Sequence, residues 1–453
     1  MYDLIVLGGG PAGYLAAERA AHAGFKVALF EKRNVGGVCL NEGCVPSKAL
    51  LYSAKLKDGA EHGNKYGIVC GDVKIDHAAV ITRKDKVVKT LTGGVSATLK
   101  GLGVEWIRAE ARIKEKIAGG YSVESGSNVY EGKRLLIATG AEAAMPPIEG
   151  LRDQFSTGFV LTNREILDLK EVPKKLVVIG GGVIGLEMAS YYHSAGSSVT
   201  VIEMLAQIGG PIDREIASLL RKNYEQKGIV FKTECKVVKI ENGIVHYEEN
   251  GSLQKAECDK ALVAIGRTPN TKGIGLENIG LLLERGAVIT DERMMTNQPE
   301  VYAAGDVNGK SMLAHTAYRE AEVAISNMLG KRDKMKYNAI PGVIYTNPEV
   351  AGVGETEESA KAKHLDYTVK TISMRYSGRY VAENEGGDGI CKIIVDNKWN
   401  KLIGVHMIAN HASEIIWGAD ALIAKEISID EIKKIVFPHP TVGEIIREAI
   451  FQL

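Results

Sequence analysis

The sequence predicts an α/β protein with two dinucleotide-binding folds in tandem, ahead of a C-terminal α+β region. Two observations carry this reading. The stretch "DLIVLGGGPAGYLAA" at 3–17 is an apolar strand, the triplet Gly8, Gly10, Gly13, and an Ala-rich helix. The stretch "KLVVIGGGVIGLEMA" at 175–189 repeats that pattern with Gly180, Gly182 and Gly185. Each unit continues to a second strand ending in an acid, "KVALFE" at Glu31 and "SVTVIE" at Glu203, and each acid lies 18 positions past its last glycine.

The glycine pattern has a physical reason. The first glycine permits a tight turn, the second lets a pyrophosphate approach the backbone, and the third lets helix and strand pack closely. The helix N-terminus then faces the phosphates, and the acid accepts hydrogen bonds from ribose hydroxyls. One such motif also suits a purely structural turn. Two copies, each in a strand–helix–strand frame with its acid in place, point to two bound dinucleotides. At the second site, Glu203 repels a 2′-phosphate and "MLAQIGG" after it has no Lys or Arg to receive one. NAD is favoured there over NADP, with Val183 and Ile184 of the turn beside it.

The remaining composition narrows the class. At 453 residues the chain is long enough for about three domains. Lys plus Arg equals Asp plus Glu at 56 each, so no net basic field points to nucleic acid. No apolar run approaches the roughly 18–20 residues of a membrane span, and "MYDLIVLGGG" enters a strand at once. A cytoplasmic protein is expected, although a processed organelle protein with a new start Met reads the same. The six cysteines are too few for a disulfide scaffold. Cys70, Cys235, Cys258 and Cys391 are scattered singly and read as packing residues.

Cys39 and Cys44 stand apart, in "VGGVCLNEGCVPSK" at 35–48. In a reducing compartment a close pair is catalytic, redox-sensing or metal-binding more often than structural. Five residues of ideal helix rise about 7.5 Å, whereas a disulfide needs α-carbons within roughly 4.4–6.8 Å. Closure therefore requires a distorted turn, which Gly43 permits. A zinc site needs two more ligands. "HMIANH" at 406–411 has the spacing of a metal pair but sits in a strand-like run without carboxylate support. Near the C-terminus, "FPHPTVGE" sets His439 five residues before Glu444. A thiol substrate mostly protonated at neutral pH needs a base, which a histidine can supply, and Thr441 and Glu444 form a capping box for the next helix.

In chain order, "GGGPAG", "GGVCLNEGCVPSKAL", "LLIATGA", "GGGVIGLE", "AIGRTPN", "VYAAGDV", "MLAH", "TNPEVAGVG" and "FPHPTVGE" span nearly the whole sequence. This ordered set resembles the two-cysteine flavoprotein disulfide reductases. The resemblance implies two Rossmann-like dinucleotide-binding domains for FAD and NAD, a central piece, and a C-terminal α+β dimerisation domain. The expected divisions are 1–143 (FAD), 144–266 (NAD), 267–336 (central, completing the FAD site) and 337–453 (interface). Strands are expected in "PGVIYTNPEVAGVG", "YTVKTISM", "GICKIIVD" and "LIGVHMI" of the last domain.

The resemblance also implies site roles. FAD would meet Gly8, Gly10, Gly13, Glu31, Lys32, Gly37, Val38, Lys48, Ala111, Thr139, Gly140, Asp306 and Ala314. NAD would meet the second glycine turn, Glu203, Val237, Ala264, Gly266 and Arg267. Cys39 would be the thiol that exchanges with substrate, and Cys44 the thiol against the flavin. Lys48 would approach the flavin N5 edge with help from Glu187. His439, oriented by Glu444, would be the base acting on a partner subunit's thiols. Within the family the pattern is most similar to members that oxidise protein-bound dihydrolipoamide with NAD⁺. The implied partners are a second copy of the chain and a lipoyl-bearing protein of a 2-oxo acid dehydrogenase complex or the glycine cleavage system.

Rivals fit less well. Glutathione reductases carry basic residues for NADPH, mercuric reductases a C-terminal cysteine pair, and related peroxide-reducing flavoproteins a single active cysteine. A redox-silent structural flavoprotein has no need of the cysteine pair or His439. The loop departs from the family in having Val38 where Thr is usual and Glu42 where an apolar residue is usual. The Glu42 charge is expected to disfavour thiolate unless it turns to solvent.

Overall fold

A computed structural model describes residues 1–453. Contacts divide the chain into two compact units. The first comprises Met1–Ala49, Ile81–Ala144 and Gly266–Lys336, and the second Leu50–Val80, Met145–Ile265 and Tyr337–Leu453.

The first unit is built on a five-stranded parallel sheet in the order Val301–Ala303, Leu135–Ile137, Leu4–Leu7, Val27–Phe30, Glu105–Ile107. Its inner strands are continuous apolar runs because both faces are covered, as parallel sheets require. Helices Pro11–His22 and Ala314–Met328 pack against each other. Pro11 opens the first of them, where its missing N–H costs nothing and its φ is already helical. A three-stranded antiparallel sheet, Arg112–Ile117, Gly120–Ser125 and Asn128–Gly132, joins the same core through Ile113, Tyr121 and Val123.

The second unit repeats the plan. Strands Val230–Lys232, Ser198–Ile202, Lys175–Ile179, Lys260–Val263 and Val160–Leu161 form a parallel sheet in that order. The C-terminal part is an antiparallel sheet ordered Gly342–Ile344, Glu349–Gly354, Lys401–Ala409, Ile390–Asp396, Tyr367–Ser373. Helices Ala412–Ala424 and Ile445–Ile450 share its apolar core. The expected α/β architecture with an α+β C-terminal part is thus present.

One side-chain placement, Cys70, differs from the sequence reading, and one, the His406/His411 spacing, agrees with it. Cys235, Cys258 and Cys391 are buried as packing residues, but Cys70 is exposed. His406 and His411 are engaged separately: His406 is buried on the Glu355 carbonyl at 2.7 Å, and His411 meets Glu383 at 3.0 Å.

A buried charge cluster ties this sheet to its neighbour helix. Lys392, within strand Ile390–Asp396, is 3% exposed, and its Nζ lies 3.1 Å from Asp213 and 2.9 Å from Glu215. Asp213 is fully buried and also caps helix Arg214–Lys227 by accepting from the Glu215 and Ile216 N–H groups. Burial alone disfavours the ammonium, but the Glu215 and Asp213 carboxylates hold Lys392 above the ordinary lysine range. Removing one partner of such a cluster strands the other charge. Lys392→Met should therefore lower the unfolding free energy by about 3–5 kcal/mol, read as a fall in urea midpoint; an unmoved midpoint would contradict this.

Candidate active site

The two glycine turns are built alike. Gly8 has φ +103° and Gly180 φ +105°, and a Cβ on either would lie 2.3 or 2.4 Å from a carbonyl oxygen, of Ala138 or Ala264 respectively. A Cβ on Gly13 or Gly185 would fall 1.8 or 2.1 Å from the Gly8 or Gly180 oxygen. Only glycine lets helix and strand approach this closely. At Gly182 nothing lies within 4 Å of that position, so the backbone face is open. Neither helix has a side-chain cap or an acidic residue in its first turn. The N-terminal N–H groups are left for an anion, and a dinucleotide pyrophosphate fits both turns.

The acids also match. Glu31 accepts from the Gly9 N–H at 2.9 Å and the Arg33 N–H at 2.8 Å. Glu203 accepts from the Gly181 and Leu205 N–H groups, both at 2.7 Å. Each carboxylate is thus held by its own loop, with acceptor sites remaining for ribose hydroxyls. Val183 is exposed and Ile184 half-buried at the second turn, while Val237 is packed in the hydrophobic core.

Around the first turn, a Cβ on Gly37 would lie 2.5 Å from the Gly10 Cα. Lys32 pairs with Glu110 at 2.7 Å, and Ala111 packs against the sheet core. The Thr139 hydroxyl donates to the Asn270 carbonyl at 2.7 Å, and Gly140 follows with φ +69°. Ala314 is the first residue of its helix. Arg267, expected beside NAD after Ala264 and Gly266, lies in the first unit with its guanidinium 3.7 Å from Asp306 and donating to the Ala141 carbonyl. Burial raises the Asp306 carboxyl above the usual range, and Arg267 opposes that shift.

The thiols sit at a broken helix. Helix Gly37–Glu42 stops at Gly43 (φ −152°, ψ −108°), and helix Cys44–Glu61 begins at once. A Cβ on Gly43 would press to 3.1 Å from the Val38 carbonyl oxygen. The structure holds both cysteines as thiols, Cys39 half-buried and Cys44 exposed. Hydrogen bonding to Cys44 and burial push the Cys39 thiol well above the ordinary range, while the Lys48 charge draws it down. The expected influence of Glu42 is not the controlling one. Its carboxylate turns to Arg33, nine residues back, with Nη1 3.1 Å away, so its charge is compensated.

In the second unit, His439 is 78% exposed, and its Nδ1 lies 3.2 Å from each oxygen of Glu444. Glu444 is buried and accepts from the Thr441 N–H at 3.0 Å. It is both cap and imidazole partner. Glu187, 3% exposed, accepts from the Tyr345 N–H at 3.1 Å. The thiols with Lys48 belong to the first unit, and His439, Glu444 and Glu187 to the second.

The sequence reading missed Tyr14 and Tyr318, whose hydroxyls meet at 2.5 Å and which both feel the Cys39 charge. Tyr14 follows the last glycine of "GGGPAG" and Tyr318 lies one turn past Ala314, but only tertiary packing joins them.

Two nucleotide turns and one close thiol pair define a class of pyridine-nucleotide-linked disulfide oxidoreductases. Residues 2–321 match the pyridine nucleotide-disulphide oxidoreductase family and residues 340–450 its dimerisation domain. The chain belongs to this family. It is 38% identical to the mitochondrial dihydrolipoyl dehydrogenase of Pisum sativum, covering 99% of this chain and 90% of that protein. It is 39% identical to the dihydrolipoamide dehydrogenase of Chaetomium thermophilum, with 99% and 90% covered. Among solved structures, LpdA from Mycobacterium tuberculosis aligns with a TM-score of 0.89 at 25% identity, over 99% of both chains.

Since Lys48 draws the Cys39 thiol down, Lys48→Gln should move Cys39 alkylation by iodoacetamide to higher pH. At pH 8 the reduced variant should react several-fold more slowly, given that only the thiolate reacts. A profile identical to the parent's would remove Lys48 from this role.

Proposed function

We propose that the chain oxidises protein-bound dihydrolipoamide to lipoamide with reduction of NAD⁺ to NADH, through FAD and a Cys39–Cys44 disulfide that opens and closes. The observation that carries this reading is the thiol pair held together by the break at Gly43, in a chain similar end to end to dihydrolipoyl dehydrogenases.

The proposed division of labour follows the geometry. Glu31 and the Gly8–Gly13 turn hold one dinucleotide, with Asp306 beside Arg267 on the same unit; Glu203 and the Gly180–Gly185 turn hold NAD. Bound there, FAD would supply an acceptor for the dithiol's electron pair and a hydride source for NAD⁺. The four-part division at 143, 266 and 336 belongs to this proposal.

The exchange chemistry is the protein's own. A substrate thiol near the ordinary thiol range is mostly protonated at neutral pH and needs a base. His439 Nε2 takes its proton, with Nδ1 kept as the protonated nitrogen by Glu444. The substrate thiolate bonds to Cys39 sulfur, the Cys39–Cys44 bond breaks, and the electron pair leaves on Cys44. The second substrate sulfur then attacks the first, Cys39 leaves, and lipoamide is released. One substrate dithiol is oxidised and one protein disulfide reduced. His439 stands exposed on the C-terminal part, in the residues matched to the dimerisation domain. We assign it to the thiols of a second copy, so that the active protein is a homodimer with shared sites.

The lipoyl-bearing partner belongs to a 2-oxo acid dehydrogenase complex or the glycine cleavage system. A cytoplasmic location suits the buried unpaired thiols Cys235, Cys258 and Cys391, which a reducing compartment preserves. No helix is long and apolar enough to cross a membrane.

Anaerobic mixing with dihydrolipoamide and NAD⁺ should yield NADH, and His439→Gln should cut that turnover about 10²–10⁴-fold. A parent protein that instead turns over glutathione disulfide with NADPH would send the substrate assignment to other disulfides.

A further inference from the structure

Helices Pro11–His22 and Ala314–Met328 meet at a pair of phenols. Tyr14 and Tyr318 are half-buried, their hydroxyls are 2.5 Å apart, and their rings are tilted by 64° with centroids 6.0 Å apart. Nothing in the family pattern read from the sequence asks for this pair. Its position does. Gly37 packs on Gly10 and lies 3.5 Å from the Pro11 ring at its Cβ position. From that contact the chain runs two residues to Cys39 on one side and one helical turn to Tyr14 on the other. Tyr14 is held there by its N–H on the Gly10 carbonyl at 2.9 Å. Cys39 acts electrostatically on both phenols, and Cys44 also acts on Tyr318.

Resting on the disulfide-exchange reading above, we infer that the Tyr14–Tyr318 pair is a positioning device that donates a hydrogen bond to Cys39 sulfur when charge collects there. The need arises in the second exchange step, where the bond between substrate sulfur and Cys39 breaks and the electron pair stays on Cys39. The groups acting most strongly on that sulfur are Cys44 and Lys48; the sulfur in turn acts on Tyr14 and Tyr318, and Glu18 also acts on Tyr14. Of these, Lys48 alone brings positive charge, and the site is half-buried. In the dithiol state Cys39 is hydrogen-bonded to Cys44, and the phenols are hydrogen-bonded to each other. In a phenol–phenol pair one hydroxyl donates to the other, so the accepting hydroxyl keeps its own proton for a third group. Burial holds both phenols above the ordinary tyrosine range. They therefore stay neutral through working pH, donating a hydrogen bond without losing the proton and without repelling a thiolate.

Tyr318→Phe in the flavin-loaded protein removes one hydroxyl and keeps the ring. After reduction by excess dithiol, Cys39 alkylation by iodoacetamide, located by mass spectrometry, is followed against pH. A hydrogen bond to a charged group is worth enough to change the thiolate population about tenfold. The variant's Cys39 profile should move to higher pH, with about tenfold slower labelling at pH 8 and kcat lowered more than KM is raised. Tyr14→Phe should move it the same way, and unchanged flavin content reports that each variant has folded. Profiles for both variants that coincide with the parent's would overturn the inference. If the profile moves while the parent protein does not oxidise dihydrolipoamide, the phenol pair stands and the substrate assignment falls.

Discussion

The architecture depends on a close approach that only glycine allows. In each nucleotide-binding unit, a carbonyl oxygen occupies the place where the third motif residue would carry its side chain, 1.8 Å away at Gly13 and 2.1 Å at Gly185. That approach seats the helix against the first strand. It places the helix N-terminus at the C-terminal end of the central strand and sets the distance at which Glu31 or Glu203 reaches back to the turn. The thiol segment is docked on the same feature, because Gly37 rests on Gly10. A larger residue at Gly13 or Gly37 would strain the first turn and the thiol segment docked on it.

Charge management around the thiols follows from this docking. Cys39 is drawn inward and made reluctant to ionise by its neighbour sulfur and by burial, and Lys48 counters them. Glu42, the one acid inside the cysteine loop, is turned away by Arg33. In the proposed cycle two tasks are separate: the thiol pair stores electrons, and proton removal falls to the exposed imidazole of His439, braced by the buried Glu444 carboxylate. Glu444 serves as both helix cap and histidine partner because Oε2 accepts from the Thr441 N–H while the His439 Nδ1 lies within reach of both carboxylate oxygens.

Features encoded locally were legible in the sequence. The two glycine turns, their acids at equal spacing and the need for a distorted turn at Gly43 follow from residue spacing and backbone geometry, whereas the His439–Glu444 pairing is implied by the family resemblance. What escaped depends on contacts between distant segments. Tyr14 and Tyr318 are 304 positions apart and meet only when two helices pack. Lys392 reads as an ordinary strand lysine until Asp213, 179 positions away, appears beside it. Arg267 sits beside an apparent NAD motif, yet its side chain turns to Asp306. Cys70 resembles the other scattered cysteines and differs from them only in exposure. The Arg33 partner of Glu42, 3.1 Å away, was likewise not legible in the loop itself.

Subunit mixing distinguishes a site shared between two copies, one supplying the thiols and the other the histidine, from a site completed within one copy. Cys39→Ser and His439→Gln homodimers, each nearly inactive, would be allowed to exchange subunits and then assayed with dihydrolipoamide and NAD⁺. Random exchange makes about half the dimers mixed, each with one intact site in the two-fold arrangement, so about a quarter of parental activity should return. If exchange is demonstrated and activity stays at the level of the two separate variants, the shared site is contradicted.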